Sequence, residues 1–206
     1  MREVRPSLHR QFPPRTRMNE ALLIVDVQND FCPRGALAVK EGDAVVVPLN
    51  AAIRHAERHD VPVFYTRDWH PVDHCSFTAR GGPWPPHCIA GTTGAEFHPG
   101  LRVPDDAIVL SKAQSPATDA YSGFGGTDLA ERLRRRGVER VVIGGLTLDY
   151  CVKETALDAL KAGFDVLVLE DATRAVEAAP GDGARAMAAL HAAGAQFLTT
   201  DDYVSV

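Results

Sequence analysis

The chain has 206 residues, of which 45% are hydrophobic and 24% are charged, a composition typical of a globular protein with one sizeable core. Its net charge of -5 gives no reason to expect a nucleic acid or an anionic membrane as a partner. No apolar run approaches the roughly 20 residues of a membrane helix, and no secretory signal is visible. The four cysteines form no CxxC pair, which favours reduced thiols. We therefore expect a cytoplasmic protein.

The order of the predicted elements indicates an α/β fold. Residues 1–17 carry five arginines and three prolines without periodicity, and we expect a flexible arm there, followed by a single domain over residues 18–206. Short apolar runs predict strands at 20–27, 61–66, 107–110, 141–143, 164–169 and 195–198. Residues with helical spacing lie between most of them. This alternation predicts a mainly parallel sheet with helices on both faces.

The first predicted strand ends in a carboxylate, Asp26. Ligands of open α/β sheets bind outside the carboxyl ends of the strands, and a carboxylate buried there needs a partner. Asp26 is therefore a candidate general base, with a turn-capping aspartate as the alternative. Asp30 is the weaker candidate, because an Asx turn explains it adequately.

Histidines and an aspartate cluster after the second predicted strand. Asp68 and His70 are two residues apart and point to the same side, and His87 follows within 20 residues. A carboxylate and two imidazoles suit Zn²⁺, Fe²⁺ or Mn²⁺, with His74 as a fourth ligand or a supporting group. The alternative is that these histidines, which adjoin proline-rich loops, merely face solvent.

Two long loops flank the third predicted strand. Residues 71–106 form a Pro- and Gly-rich stretch with little periodicity, and loops of that length in compact domains are usually functional. Trp84 lies in it, either packing the loop or forming a wall for a flat substrate. Lys112 follows the strand and so occupies the same sheet edge as Asp26. Tyr121 lies in the second loop, residues 113–126.

Cys151 is placed where the fourth strand leads into a helix. Asp149 is a plausible N-cap of that helix. Free amides and the helix dipole would lower the pKa of a cysteine at this position and could stabilise an oxyanion. The alternative is that Cys151 is a small buried hydrophobic residue.

Five motifs occur in one order, namely DVQNDF, RDWHPVDH, WPPHC, AYSGF and DYCV. With them the chain resembles the nicotinamidases, a family of isochorismatase-like cysteine hydrolases, over about residues 20–203. The resemblance implies a three-layer α/β/α fold with six strands in the order 3-2-1-4-5-6. It also implies hydrolysis of nicotinamide, and we expect pyrazinamide to be accepted as well.

The resemblance assigns roles to particular residues. It implies a catalytic triad of Asp26, Lys112 and Cys151, and metal ligands Asp68, His70 and His87, with His74 ligating in some members. It further implies that Phe31 and Trp84 sandwich the substrate ring and that Tyr121 lines the pocket. A cis Leu146–Thr147 bond is also implied. It orients the Thr147 amide, which forms an oxyanion hole with the amide of Cys151. Many members have Ala-Thr where this chain has Thr147-Leu148.

The implied reaction converts nicotinamide to nicotinic acid and ammonia through a cysteine thioester, a step of NAD salvage. One divalent metal is implied, with zinc as the preferred ion and iron or manganese as alternatives. A related amidase acting on N-carbamoyl or ureido substrates would keep the triad but have no use for the metal ligands. A non-catalytic, metal-stabilised binding module is the alternative from another class. The oligomeric state is left open.

Overall fold

The computed structural model describes residues 19–205. The predicted arm, residues 1–17, lies outside the described residues. Within the described part of the chain, no helix is both long and apolar enough to cross a membrane.

The centre of the molecule is a six-stranded sheet. All of its neighbouring strands pair in parallel, and their order is β3-β2-β1-β4-β5-β6, which confirms the predicted order. The strands are β1 (Glu20–Val25), β2 (Val63–Asp68), β3 (Ile108–Lys112), β4 (Arg140–Leu146), β5 (Asp165–Arg174) and β6 (Gln196–Leu198).

The helices follow the strands as the alternation predicts. They are α1 (Val46–Arg58), α2 (Leu129–Arg135), α3 (Lys153–Lys161), α4 (Asp182–Ala192) and α5 (Thr200–Val204), and a π-helical turn (Leu148–Val152) precedes α3. The last helix was not predicted, because it is short and polar. Thr199 caps it by accepting a hydrogen bond from the Asp202 amide.

Strand β5 extends beyond its predicted end at residue 169. The polar pair Glu170-Asp171 interrupts the apolar run, so the sequence pattern stops there. Asp171 nevertheless stays in the strand and accepts hydrogen bonds from the amide and hydroxyl of Thr200. This contact joins β5 to the start of α5.

Apolar side chains fill both sides of the sheet. Along β1, Leu22 and Ile24 belong to the core cluster that includes α1, whereas Leu23 and Val25 belong to the cluster that includes α2 and α3. A fully buried Leu or Ile contributes about 1.5–3 kcal/mol relative to an exposed one. Burial on both faces explains why this strand has a continuous apolar sequence.

The order of the strands reverses between the parallel neighbours β1 and β4. From there, β2 and β3 extend to one side of the sheet, and β5 and β6 extend to the other. Crevices at such a point, outside the carboxyl ends of the strands, are where open α/β sheets bind ligands. The two strands approach closely there, since a Cβ on Gly145 would lie 2.0 Å from the Val25 carbonyl oxygen. Gly145 also has φ +129, a conformation that favours glycine.

Candidate active site

Asp26, Lys112 and Cys151 come together at this crevice. Asp26 directly follows β1, Lys112 is the last residue of β3, and Cys151 lies in the π-helical turn after β4. Lys112 Nζ lies 2.9 Å from Asp26 Oδ2 and 3.4 Å from Cys151 Sγ. All three side chains are buried. The arrangement combines a thiol, a carboxylate and an ammonium group out of contact with bulk water.

Burial governs the protonation of Asp26. The Thr66 hydroxyl donates to Asp26 Oδ1 at 2.6 Å, and Lys112 pairs with the other oxygen. Both contacts favour the carboxylate, but burial outweighs them, so the pKa of Asp26 is raised. A carboxylate with a raised pKa is a better proton acceptor than an ordinary surface aspartate.

Lys112 holds a second carboxylate that sequence reasoning had assigned only to the metal site. Its Nζ lies 2.6 Å from Asp68 Oδ1 and donates to the Ala120 carbonyl oxygen at 3.1 Å. Burial alone would lower the pKa of Lys112, but Asp26 and Asp68 raise it well above its usual value. Lys112 therefore remains an ammonium group. The register of the strands explains this contact, because Asp68 and Lys112 are direct partners in the β2–β3 pair.

The expected lowering of the Cys151 pKa is wrong. Burial raises the pKa of the thiol well above its usual value, and the Asp26 and Asp68 charges add to the effect. Lys112 acts in the opposite direction but does not prevail. The helix dipole does not prevail at Cys151, because burial and the two carboxylates disfavour the thiolate. At rest the thiol therefore keeps its proton.

The turn that carries Cys151 differs in one further respect from its prediction. The Leu146–Thr147 peptide bond is cis, as the resemblance implied, and the Val152 amide donates to the Thr147 carbonyl oxygen at 3.0 Å. Asp149 does not cap the helix, because its carboxylate accepts hydrogen bonds from the Val176 and Glu177 amides instead.

Asp68, His70 and His87 form a compact group beside Lys112. One ligand atom from each residue lies within 4.8 Å of the others, and all three are buried. Nδ1 of His70 lies 3.3 Å from the Ala113 carbonyl oxygen, and Nδ1 of His87 lies 2.8 Å from that of Pro85. With a proton on Nδ1, each ring presents its Nε2 lone pair as a ligand.

The donor set fits a divalent metal. Nε2 of His70 is buried without a hydrogen-bond partner, which is costly unless a ligand occupies it. Burial lowers the pKa of His87 and so favours the neutral ring that binds metal. Burial pushes the pKa of Asp68 upward, but neighbouring groups, the Lys112 ammonium foremost, hold it well below its usual range. Two imidazoles and an ionised carboxylate suit zinc, iron or manganese.

His74 lies outside this group of ligands. Its Nδ1 is 2.7 Å from the Ser76 hydroxyl, and its Nε2 is 3.2 Å from the Thr118 carbonyl oxygen. The ring packs against His70 with 4.2 Å between centroids. The geometry therefore assigns His74 to the support of His70 and of the loop that contains Thr118.

Two residues of the DVQNDF motif support the site through the backbone. The buried Gln28 amide donates to the Asp68 and Ala95 carbonyl oxygens and accepts from the Asp68 amide. Asp30 accepts from the Ala36 amide and, at 2.7 Å, from the Cys88 amide next to His87. Asp30 is thus a loop anchor rather than a base. Gln28 was missed, although an amide directly after a buried strand was a usable signal.

Aromatic side chains surround the group. Phe31 is buried against His87, with 5.6 Å between ring centroids. The Trp84 indole donates to the Tyr121 hydroxyl at 3.0 Å, and burial raises the pKa of Tyr121 to about 12. Tyr150, which the sequence analysis did not single out, packs edge-on against Trp84 and also contacts Tyr121. An aromatic residue directly before the nucleophile candidate was the available signal.

Comparison with known proteins identifies the class. Residues 20–202 match the model of the isochorismatase domain. The nicotinamidase of Escherichia coli (strain K12) is 39% identical over 212 residues, covering 93% of this chain and 97% of the relative. This protein therefore belongs to the isochorismatase family, which confirms the predicted resemblance.

Two solved structures are similar to this one. The pyrazinamidase of Pyrococcus horikoshii in complex with zinc has a TM-score of 0.84 and 48% identity, covering 88% of this chain and 99% of its own. PnC1 from L. infantum, in complex with nicotinate, has a TM-score of 0.81 and 38% identity, covering 89% and 94%.

Proposed function

We propose that this protein is a metal-dependent nicotinamidase, which converts nicotinamide to nicotinic acid and ammonia through a thioester on Cys151. The observation that carries the proposal is the position of Lys112, whose ammonium contacts Asp26, Cys151 and the Asp68 carboxylate of the metal-ligand group. Nucleophile, base and ligands therefore form one continuous site. The nicotinamidase and pyrazinamidase relatives support the choice of substrate.

The first half of the reaction forms the thioester. Asp26 accepts the thiol proton as Cys151 Sγ attacks the carboxamide carbon, and Lys112 holds both groups in place. Because the pKa values of Asp26 and Cys151 are both raised, the proton moves during attack rather than before it. Protonated Asp26 then gives its proton to the departing ammonia.

The turn before α3 supplies the oxyanion hole. Thr147 directly precedes this turn and Cys151 lies within it, and we assign to their amides the stabilisation of the oxygen that gains charge during attack. Loss of one such donor typically costs about 3–4 kcal/mol in transition-state stabilisation. Water then attacks the thioester carbon while Asp26 accepts its proton, the C–S bond breaks, and Asp26 returns the proton to the Cys151 sulfur as nicotinic acid leaves.

The metal ligands and the aromatic residues orient the substrate. Asp68, His70 and His87 would hold one divalent ion, zinc first, with iron or manganese as alternatives. When bound, the ion would supply a Lewis acid for the pyridine nitrogen of the substrate. Phe31 and Trp84 would enclose the flat ring, and Tyr121 would close the pocket wall. The same pocket should accept pyrazinamide. We place the reaction in NAD salvage, in the cytoplasm.

The experiment measures ammonia and nicotinic acid released from nicotinamide by the purified, metal-loaded protein. The Cys151→Ala variant gives the background, and Cys32→Ala, which removes another buried thiol, is the matched control. We expect equal amounts of the two products from the wild type and from Cys32→Ala. The Cys151→Ala protein should lose turnover by about a thousandfold or more while keeping its metal.

The same assay separates the rival functions. Turnover of an N-carbamoyl amide, without turnover of nicotinamide, would replace the proposal with the carbamoyl amidase. A folded protein that releases ammonia from neither substrate, with zinc, iron or manganese, would favour the binding module. Normal turnover by Cys151→Ala would end the assignment of the nucleophile.

A further inference from the structure

The Asp149 carboxylate lies two residues before Cys151 but is directed away from the proposed chemistry. Asp149 is buried, and its two oxygens accept hydrogen bonds from consecutive amides, Val176 to Oδ1 and Glu177 to Oδ2, each at 2.9 Å. These amides belong to the segment between β5 and α4. One carboxylate thus ties the turn that carries the nucleophile to a segment 27 residues later.

The segment that Asp149 holds is itself fixed at its other end. The Glu177 carboxylate accepts from the Gly181 amide at 2.6 Å and from the Gly183 amide at 2.8 Å, at the beginning of α4. The fit is close, since a Cβ on Gly183 would lie 2.8 Å from Glu177 Oε1. Two carboxylates in series, Asp149 and Glu177, therefore connect the turn to α4.

The turn needs such support, because it presents three groups to one point. Asp149 stands midway between Thr147 and Cys151, which provide the two amides assigned to the oxyanion hole and the Sγ atom. These groups belong to a π-helical turn, a form that occurs mostly as single turns and often at functional sites. A rotation of the turn would move Sγ and both amides together.

We propose that Asp149 is a positioning residue for acyl transfer. By holding the Val176 and Glu177 amides, it fixes the turn Leu148–Val152 so that Cys151 Sγ and the amides of Thr147 and Cys151 face the same carbonyl group. This inference rests on the proposed function. It assigns to Asp149 no contact with substrate.

The carboxylate form is required for this role. A carboxylate accepts on both oxygens, whereas an asparagine amide accepts on one side and presents N–H donors on the other. In Asp149→Asn, one of the two amides would face another donor, and the turn would have to shift. A displacement of reacting groups by about 1 Å can cost about a hundredfold in rate.

The test compares two ligands of the metal-loaded protein. Pyridine-3-carboxaldehyde forms a covalent adduct: the C–S bond to Cys151 forms, the carbonyl π bond breaks, and the thiol proton ends on the new hydroxyl or on Asp26. Its oxygen occupies the oxyanion hole. Nicotinic acid carries the same ring but forms no adduct. The variants are Asp149→Asn and, as matched control, Asp165→Asn at the exposed beginning of β5.

In Asp149→Asn we expect the affinity for the aldehyde to fall about tenfold or more, and that for nicotinic acid to change less than about twofold. The kcat for nicotinamide should fall with the aldehyde affinity while KM stays nearly constant. Asp165→Asn should behave as the wild type. A purely structural role would weaken both ligands alike, and that outcome, or no change in either, would overturn the inference.

A second variant covers the case in which Asp149→Asn does not fold. Glu177→Gln loosens the other end of the same connection and should shift the ratio of the two affinities in the same direction, by a smaller factor. An unchanged ratio in that variant would also overturn the inference. Failure of the proposed function looks different, because the wild type itself would then neither bind the aldehyde covalently nor hydrolyse nicotinamide.

Discussion

Two buried carboxylates, Asp26 and Asp68, share the ammonium of Lys112 but differ in their protonation. Nζ lies 2.9 Å from Asp26 and 2.6 Å from Asp68, yet the pKa of Asp26 is raised and that of Asp68 is lowered. At Asp26 burial prevails, and the charge of Asp68 adds to it. At Asp68 the contact with Lys112 is shorter, and Lys112 is the largest of the influences that lower the pKa. One cation can thus support a proton acceptor on one side and a permanent anion, suited to a metal, on the other.

The largest effect should come from removing the proton acceptor. Asp26→Asn keeps the shape of the side chain but cannot take the thiol proton, so kcat should fall by about 10²–10⁴. The zinc content, measured on the same sample, should stay at the wild-type level, because Asp68 and both histidines are untouched. Loss of metal together with activity would show that the two carboxylates do not act separately.

Removing the permanent anion should produce a different defect. Loss of a group that only supports a metal ligand typically lowers metal affinity by about 10–100-fold. Because Asp68 is itself assigned as a ligand, Asp68→Asn should weaken zinc binding by at least about 100-fold. Competition with a chelator measures this affinity. Excess zinc should restore part of the activity of Asp68→Asn and none of that of Asp26→Asn. Equal rescue of both variants, or of neither, would contradict the separation.

The place of His74 can be tested by a smaller change. In His74→Asn the contact with the Thr118 carbonyl oxygen is lost, and the loop that carries Tyr121 is less firmly held. Loss of about 1 kcal/mol corresponds to about a fivefold increase in KM for nicotinamide. Metal stoichiometry should be unchanged. A variant that binds no metal would make His74 a ligand.

The smallest effect concerns the tuning of Asp26 itself. Thr66→Val removes the hydroxyl that donates to Asp26 Oδ1 at 2.6 Å, a contact that favours the carboxylate. The pKa of Asp26 should therefore rise further, and the acidic limb of the profile of kcat/KM against pH should move to higher pH by up to about one unit. Thr66→Ser keeps the hydroxyl and provides the control. A shift to lower pH would contradict this explanation.

The fold was predictable from sequence wherever burial dictated the pattern. Buried parallel strands such as Val141–Ile143 have continuous apolar sequences, and their order followed from the resemblance. Two elements were not predictable, namely strand β5 beyond residue 169 and helix α5. Polar residues there form hydrogen bonds with partners distant in sequence, as Asp171 does with Thr200.

The grouping of the candidate site residues was predictable from the sequence, whereas their protonation was less so. The strand ends brought Asp26, Lys112 and Cys151 together, but a local helix argument gave the wrong direction for the thiol pKa. Burial and paired charges are properties of the folded whole and cannot be read from one motif. The same holds for Asp149, which was expected to cap its own helix and instead binds amides of a distant segment.

The most direct test of the central claim, that one ammonium joins a nucleophile centre to a metal centre that the reaction requires, is ammonia release from nicotinamide before and after metal removal. The wild-type protein is assayed as purified, after chelation, and after zinc is restored. We predict that release is lost on chelation and returns with zinc. Undiminished release by metal-free, folded protein would contradict the account.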